Sequence, residues 1–164
     1  MITLAGAQAG DEGAIADLLG ELDIFYGGTP QGTGTQRAGQ VRAALFGTPP
    51  AASALLAWDG LVLAGLASYS FLWPAAGLTT SLYLKELYVT DAYRRHGVGR
   101  LLMDELGEIA AARGCSRVEW TTDTGNRGAQ AFYESLGAKP LASKIIYRQT
   151  VASLPMGDSG ASVT

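Results

Sequence analysis

The chain has 164 residues, 48% of them hydrophobic and 16% charged, with a formal net charge of −3. This is the size and balance of one globular domain with a core of its own, and the negative sum argues against nucleic acid as a partner. The one cysteine, Cys115, excludes an internal disulfide and the one histidine, His96, makes a transition-metal cage unexpected, so a reducing, cytoplasmic setting is compatible and no metal is expected.

The opening MITLAGAQAGDEGA has neither a basic n-region nor a long apolar h-region, and no signal peptide is expected. Ile2–Ala5 suits a short first strand. Asp11 is an N-cap candidate for a helix whose Ile15, Leu18, Leu19, Leu22, Phe25 and Tyr26 form one stripe. Gly27–Gly39, GGTPQGTGTQRAG, is too rich in Gly and Thr for a core element and reads as a mobile loop, followed by a short helix over Gln40–Phe46. Ala51–Trp73 is apolar enough to suggest a membrane span, but Asp59-Gly60 interrupts it. Asp-Gly between apolar runs signals a hairpin, so two buried strands, Ser53–Trp58 and Leu61–Phe71, are expected and a membrane helix is not.

Ser81–Thr90, SLYLKELYVT, has the aromatic and aliphatic content of a central strand. After Tyr93–Arg100, YRRHGVGR, comes a helix with Val98, Leu101, Leu102, Leu106, Ile109 and Ala110 on one face, stopped by Gly114. Ser116–Thr122 is a further strand, a parallel neighbour of Ser81–Thr90 across the helical crossover. Asn126 caps a short helix bearing Ala129, Phe132, Tyr133 and Leu136, closed by Gly137. Lys144–Thr150 suits a last strand. The polar, Gly-rich stretch 153–164 reads as a disordered tail, which leaves 1–152 as one domain. The mixture and order of elements predict an α/β fold.

The segment YRRHGVGR lies between a strand and a helix, where the first helical amides lack intrahelical partners and the helix dipole is positive. Gly97 and Gly99 let an anion approach the backbone, and Arg94, Arg95 and Arg100 add charge-assisted donors. No Walker A sequence is present, and a dinucleotide fingerprint fails because its third glycine position holds Leu102.

LYLKELYV, YRRHGVGRLL, GCSRVEW and NRGAQAFYESLGA together resemble the GNAT superfamily of N-acetyltransferases over Leu82–Ala138. Arg94-x-x-Gly97-x-Gly99 is similar to that family's acetyl-CoA pyrophosphate loop. The pattern comes nearest to the spermidine/spermine N-acetyltransferase branch, but where that branch has two acids this chain has Lys85 and Glu86. The resemblance implies a GNAT-like fold: a mixed, mostly antiparallel central sheet with a splayed parallel strand pair and flanking helices. It implies that the amides of Leu87, Tyr88 and Val89 pair with the pantetheine arm. The backbone of Arg95, His96, Gly97, Val98, Gly99 and Arg100 would take the pyrophosphate, Asn126 would contact the cofactor arm, and Tyr133 would stand beside the thioester sulfur. A homodimer is a further expectation of the family.

An alkylamine with a pKa of about 10.4 is about 3.4 units from its free base at pH 7, a cost of about 4.6 kcal/mol. Direct attack of such an amine on the thioester in a ternary complex therefore needs a general base more than a general acid. Glu86 is the base candidate: strict alternation places it with Leu82, Leu84 and Tyr88 on an apolar face, where burial raises its pKa. Glu119 and Asp123 are rivals for that role. Tyr133 has a phenol able to protonate the sulfur, and a free amide near Leu87 could receive an oxyanion. His96 belongs to the phosphate loop, and Cys115 reads as small core filler. The expectation is an acetyl-CoA-dependent N-acetyltransferase of a small primary amine, such as a polyamine or amino acid, acting without nucleic acid or membrane. A non-catalytic CoA-binding sensor or scaffold and a peptide or protein N-terminal acetyltransferase are the alternatives.

Overall fold

The computed structural model describes residues 1–151; the tail expected at 153–164 lies outside them. The chain divides into two compact units, one spanning Met1–Asp123 and a second that begins at Thr124. The first holds a five-stranded sheet in the order β1-β2-β3-β4-β5, with strands β1 (Ile2–Gly6), β2 (Ser53–Asp59), β3 (Val62–Leu72), β4 (Thr80–Val89) and β5 (Cys115–Glu119). All neighbours are antiparallel except β4 and β5, which run parallel. Helix α3 (Val98–Ala112) makes the crossover between them.

The apolar run that resembled a membrane span is the β2–β3 hairpin, turning at Asp59-Gly60 with Gly60 at φ 60°. Among the described residues no helix is long and apolar enough to cross a membrane. Alternation along these strands divides the core between two faces. Ala54, Leu56 and Leu66 pack with Ile15, Ala16, Leu18 and Leu22 of α1 (Glu12–Phe25) and Val41 of α2 (Gly34–Phe46). Leu55, Ala57, Ala67, Leu82 and Leu84 pack on the other face with Val98, Leu102, Leu106 and Ala110 of α3.

Three expectations change. First, α2 begins at Gly34, inside the stretch expected to be a loop. Thr33 accepts from the Gln36 amide at 3.2 Å, and the Gln36 side chain accepts from the Thr33 amide at 2.8 Å, so a capping box outweighs the glycines. Second, Asp11 does precede α1, but its carboxylate accepts from the Gln8 amide at 2.8 Å and does not cap the helix. Third, residues 144–150 form no strand; Ile145, Ile146 and Tyr147 are exposed, and strand propensity without a partner edge builds no ladder.

The first two helices are tied together by charge. Glu12 is buried; it accepts from the Gly10 amide at 2.8 Å, and Arg42 Nη2 lies 2.7 Å from its other oxygen. Arg37 donates from α2 to the Ala16 carbonyl of α1. In the second unit, α4 (Arg127–Ser135) is capped by Asn126, whose Oδ1 accepts from the Ala129 amide at 3.1 Å. Gly137, at φ 86°, follows its end.

Candidate active site

The parallel pairing of β4 and β5 runs from Thr80 opposite Cys115 to Tyr83 opposite Glu119 and stops there. β5 ends at Glu119, short of the expected Thr122, while β4 continues to Val89, still paired with β3 on its other edge. Beyond Tyr83 the β5-side edge of β4 therefore has no strand partner among the described residues. This is the splay: a stretch of strand edge without a neighbouring strand, the kind of edge along which an extended ligand can lie.

β4 carries a second irregularity there. Ser68 of β3 lies opposite Glu86 and Tyr69 opposite Leu84, so Lys85 is an unpaired bulge residue. The bulge reverses the alternation. Leu82 and Leu84 before it, and Leu87 and Val89 after it, join the core on the α3 face, whereas Tyr88 packs among α1 and α2 residues. Glu86, in step with Tyr88, shares that second face. The expectation that Glu86 sits with Leu82 and Leu84 is corrected: strict alternation presumes an unbroken pleat, and one extra residue shifts every later side chain.

Glu86 is partly exposed, and burial pushes its carboxyl above the usual carboxylate range. Lys85, with Nζ 3.8 Å from Oε1, opposes the shift, and the negative charges of Asp123 and Asp23 add to it. The Tyr26 phenol is pushed up by burial and by the same Glu86 and Asp123 charges. Four groups from three places thus meet electrostatically: Asp23 and Tyr26 at the end of α1, Glu86 after the bulge, and Asp123 after β5. Sequence reasoning missed Asp23, and it counted Phe25 and Tyr26 in the apolar stripe of α1. Both aromatics are in fact exposed, their rings 5.3 Å apart edge to face. Of the rival bases, Glu119 is paired with Arg117 at 3.0 Å.

At the end of β4 the chain makes a tight turn: the Tyr93 amide bonds the Thr90 carbonyl and the Arg94 amide bonds Asp91. The Tyr93 hydroxyl donates to Asp59 at 3.2 Å, anchoring this turn to the β2–β3 hairpin. Arg95, at φ 64°, and Gly97, at φ 81°, aim the backbone into α3. Gly97 is the N-cap and supplies no side-chain cap, whereas Thr33 and Asn126 cap their own helices. A Cβ built on Gly97 meets nothing within 4 Å. The first-turn amides of Val98, Gly99 and Arg100 are thus presented at an uncapped positive helix end, beside exposed Arg95 and His96. These features fit a phosphate group. The Val98 side chain itself is buried core.

Arg94 is held by its neighbours. Its Nε donates to the Val89 carbonyl at 3.1 Å and its Nη1 to Asp91 at 3.2 Å, and the guanidinium stacks on Phe25. Cys115 packs in the α3-face core, with Sγ 3.4 Å from the Thr80 hydroxyl. In the second unit the Tyr133 ring lies 5.2 Å from that of Phe132. Among the described residues no group of three His, Cys, Asp or Glu side chains could hold a metal ion.

The sequence and the fold both have relatives among known proteins. The model of the acetyltransferase (GNAT) family matches residues 21–138. The chain belongs to the GNAT acetyltransferase family. As a GNAT protein it is an acyltransferase, with the mixed sheet and parallel β4–β5 pair expected from its sequence. It is 27% identical over 148 residues to thialysine N-epsilon-acetyltransferase of Sus scrofa, covering 85% of each chain. An integron cassette protein from the mobile metagenome of V. cholerae superposes with a TM-score of 0.84 at 26% identity, over 91% of this chain and 92% of the other. An aminoglycoside N-acetyltransferase solved in complex with CoA shares the fold, with a TM-score of 0.73 at 16% identity, over 91% and 95% of the two chains.

Proposed function

We propose that this GNAT protein transfers the acetyl group of acetyl-CoA to a primary amine of a small cationic molecule by direct attack in a ternary complex. The observation that carries this reading is the coincidence, at the end of β4, of an open strand edge, an uncapped helix N-terminus and a bulge that turns Glu86 to the opposite face. The β4 edge at Leu87, Tyr88 and Val89 suits the amide-rich pantetheine arm. The backbone from Arg95 to Arg100 suits the pyrophosphate, with the Arg95 side chain as an added donor.

Acetyl-CoA supplies an activated acyl group; the protein's task is to hold it and to strip a proton from the amine. Glu86 is the base, directly or through a water. Its raised pKa narrows the gap to an alkylamine near 10.4 and makes it a stronger acceptor than an exposed carboxylate. Asp23, Asp123 and the ring of Tyr26 give the acceptor side an acidic, aromatic character. That suits a substrate with a second positive charge beyond the reacting amine. The relative named as acting on the ε-amine of thialysine is consistent with such an acceptor. Tyr133 is assigned the proton for the departing sulfur and Asn126 a contact to the cofactor arm; both rest on the sequence motif alone. This reading treats residues 1–152 as one catalytic domain.

The test incubates the protein with acetyl-CoA and a panel of diamines, basic amino acids, aminoglycosides and peptides, following released thiol. Turnover is expected on a diamine or basic amino acid. CoA binding without thiol release on any amine would make the chain a CoA sensor and overturn the catalytic reading. Faster turnover of peptides than of small amines would make it a peptide acetyltransferase.

A further inference from the structure

We propose that Arg94 is a positioning residue for the acceptor side and not a ligand of the pyrophosphate, an assignment that rests on the N-acetyltransferase reading above. Its place in the Arg-x-x-Gly-x-Gly segment suggests a phosphate contact, but its atoms are occupied elsewhere. Nε holds the Val89 carbonyl at the end of β4, at 3.1 Å, and Nη1 holds Asp91 of the following turn, at 3.2 Å. The guanidinium carbon lies 4.5 Å from the centre of the Phe25 ring and 5.4 Å from that of Tyr88, and the two rings are 6.1 Å apart. One side chain therefore joins three pieces: the strand end that follows Glu86, the turn that leads into the cofactor loop, and the last turn of α1.

The consequence falls on α1. Phe25 is about half exposed, with the Tyr26 and Tyr88 rings beside it, and the stacked guanidinium adds a further tie between it and the end of β4. Phe25 is flanked in that turn by Asp23 and Tyr26, which share the electrostatic environment of Glu86. Arg94 thus sets the distance between the base on β4 and the acidic, aromatic end of α1 where the amine is held. A guanidinium suits this because its flat face stacks while its edge donates to two acceptors; an ammonium can donate but has no flat face to stack as it does so.

The test compares R94Q, R94K, F25L and the R94Q/F25L double variant. For R94Q and F25L the KM for the amine should rise about three- to tenfold, the range expected for losing a cation–π contact, with the Kd for CoA within about twofold of wild type. R94K should behave as R94Q does, although it keeps the charge. In the amine KM the double variant should be no worse than the worse single, because both substitutions remove the Arg94–Phe25 contact. A CoA Kd raised more than the amine KM in R94Q and restored in R94K would overturn the proposal and make Arg94 a phosphate ligand. Additive effects of R94Q and F25L would overturn it as well. If no amine reacts, the functional reading fails on its own. The assignment is then still decided by the CoA Kd and by whether the two substitutions are additive in the thermal unfolding of the ligand-free chain.

Discussion

Two glycines bracket α3, and together they separate a cost to the fold from a cost to binding. Gly97 is its N-cap at φ 81°, and Gly114, just past its C-cap, has φ 68°. A Cβ built on either meets nothing within 4 Å. Alanine at each position therefore costs left-handed backbone strain without a clash, about 1–2 kcal/mol. For a chain of this length that lowers the melting temperature by about 2–8 °C, and by similar amounts for G97A and G114A. Their effects on CoA should differ. The methyl of G97A stands at the mouth of the helix, where the first-turn amides are proposed to face the pyrophosphate. Losing one charge-assisted hydrogen bond there costs about 1.5–3 kcal/mol, a roughly ten- to hundredfold weaker Kd. The methyl of G114A stands at the other end of the same helix. Calorimetry with CoA, and thermal unfolding with and without it, read both quantities. Wild type and G114A should gain the same stabilisation from CoA, and G97A should lose most of it. Equal CoA affinity in the two variants would refute the placement of the pyrophosphate at this helix end.

Four further outcomes can be tested. E86Q should lower kcat by about a hundredfold or more, within the range for loss of a general base. In wild type the base must be deprotonated, so the rate should rise with pH through the Glu86 pKa, above the ordinary carboxylate range. E86Q should lack that limb, and a wild-type limb that survives in E86Q would assign it to another group. The same raised pKa means that the folded state favours neutral Glu86. Its contribution to stability is present at low pH and lost as pH rises through the folded pKa, so E86Q should unfold at slightly higher temperature than wild type at pH 7 and at about the same temperature near pH 4, read by thermal melts. Y133F should reduce turnover while leaving the CoA Kd nearly unchanged, and an unchanged rate would remove the assignment of Tyr133 as the acid. L102A, which empties a fully buried site on the α3 face, should cost about 2–5 kcal/mol in chemical denaturation; a smaller loss would place that core elsewhere.

Much of the fold was legible because it depends on local signals that survive in a single sequence. Asp59-Gly60 turned the hairpin, Gly97 and Gly114 bracketed α3, and Asn126 capped α4. The start of α2 had its own signal, Thr33 and Gln36 at capping-box spacing, hidden among glycines that suggested a loop. The run at 144–150 shows the opposite case. Ile145, Ile146 and Tyr147 have strand propensity, but a strand is a property of two chain segments and one alone does not make it.

The candidate site was less legible than the fold, for a physical reason. The segment around β4 was found because the glycines and cations of its loop are unusual. The face of Glu86 was not found, because Lys85 as a bulge residue looks like any polar position in a half-exposed strand. The early end of β5 at Glu119 and the bulge at Lys85 lie within a few residues of each other along β4. The first frees one edge of the strand for an extended ligand; the second turns a carboxylate away from the α3 core toward the end of α1. A longer β5 would pair that edge, and a β4 without the bulge would set Glu86 among Leu82 and Leu84. Pattern rules fail at this strand because the pairing and the alternation both break within it. In a sequence of this kind, a charged residue that alternation sends into an apolar core is therefore evidence for a bulge before it is evidence for a buried charge.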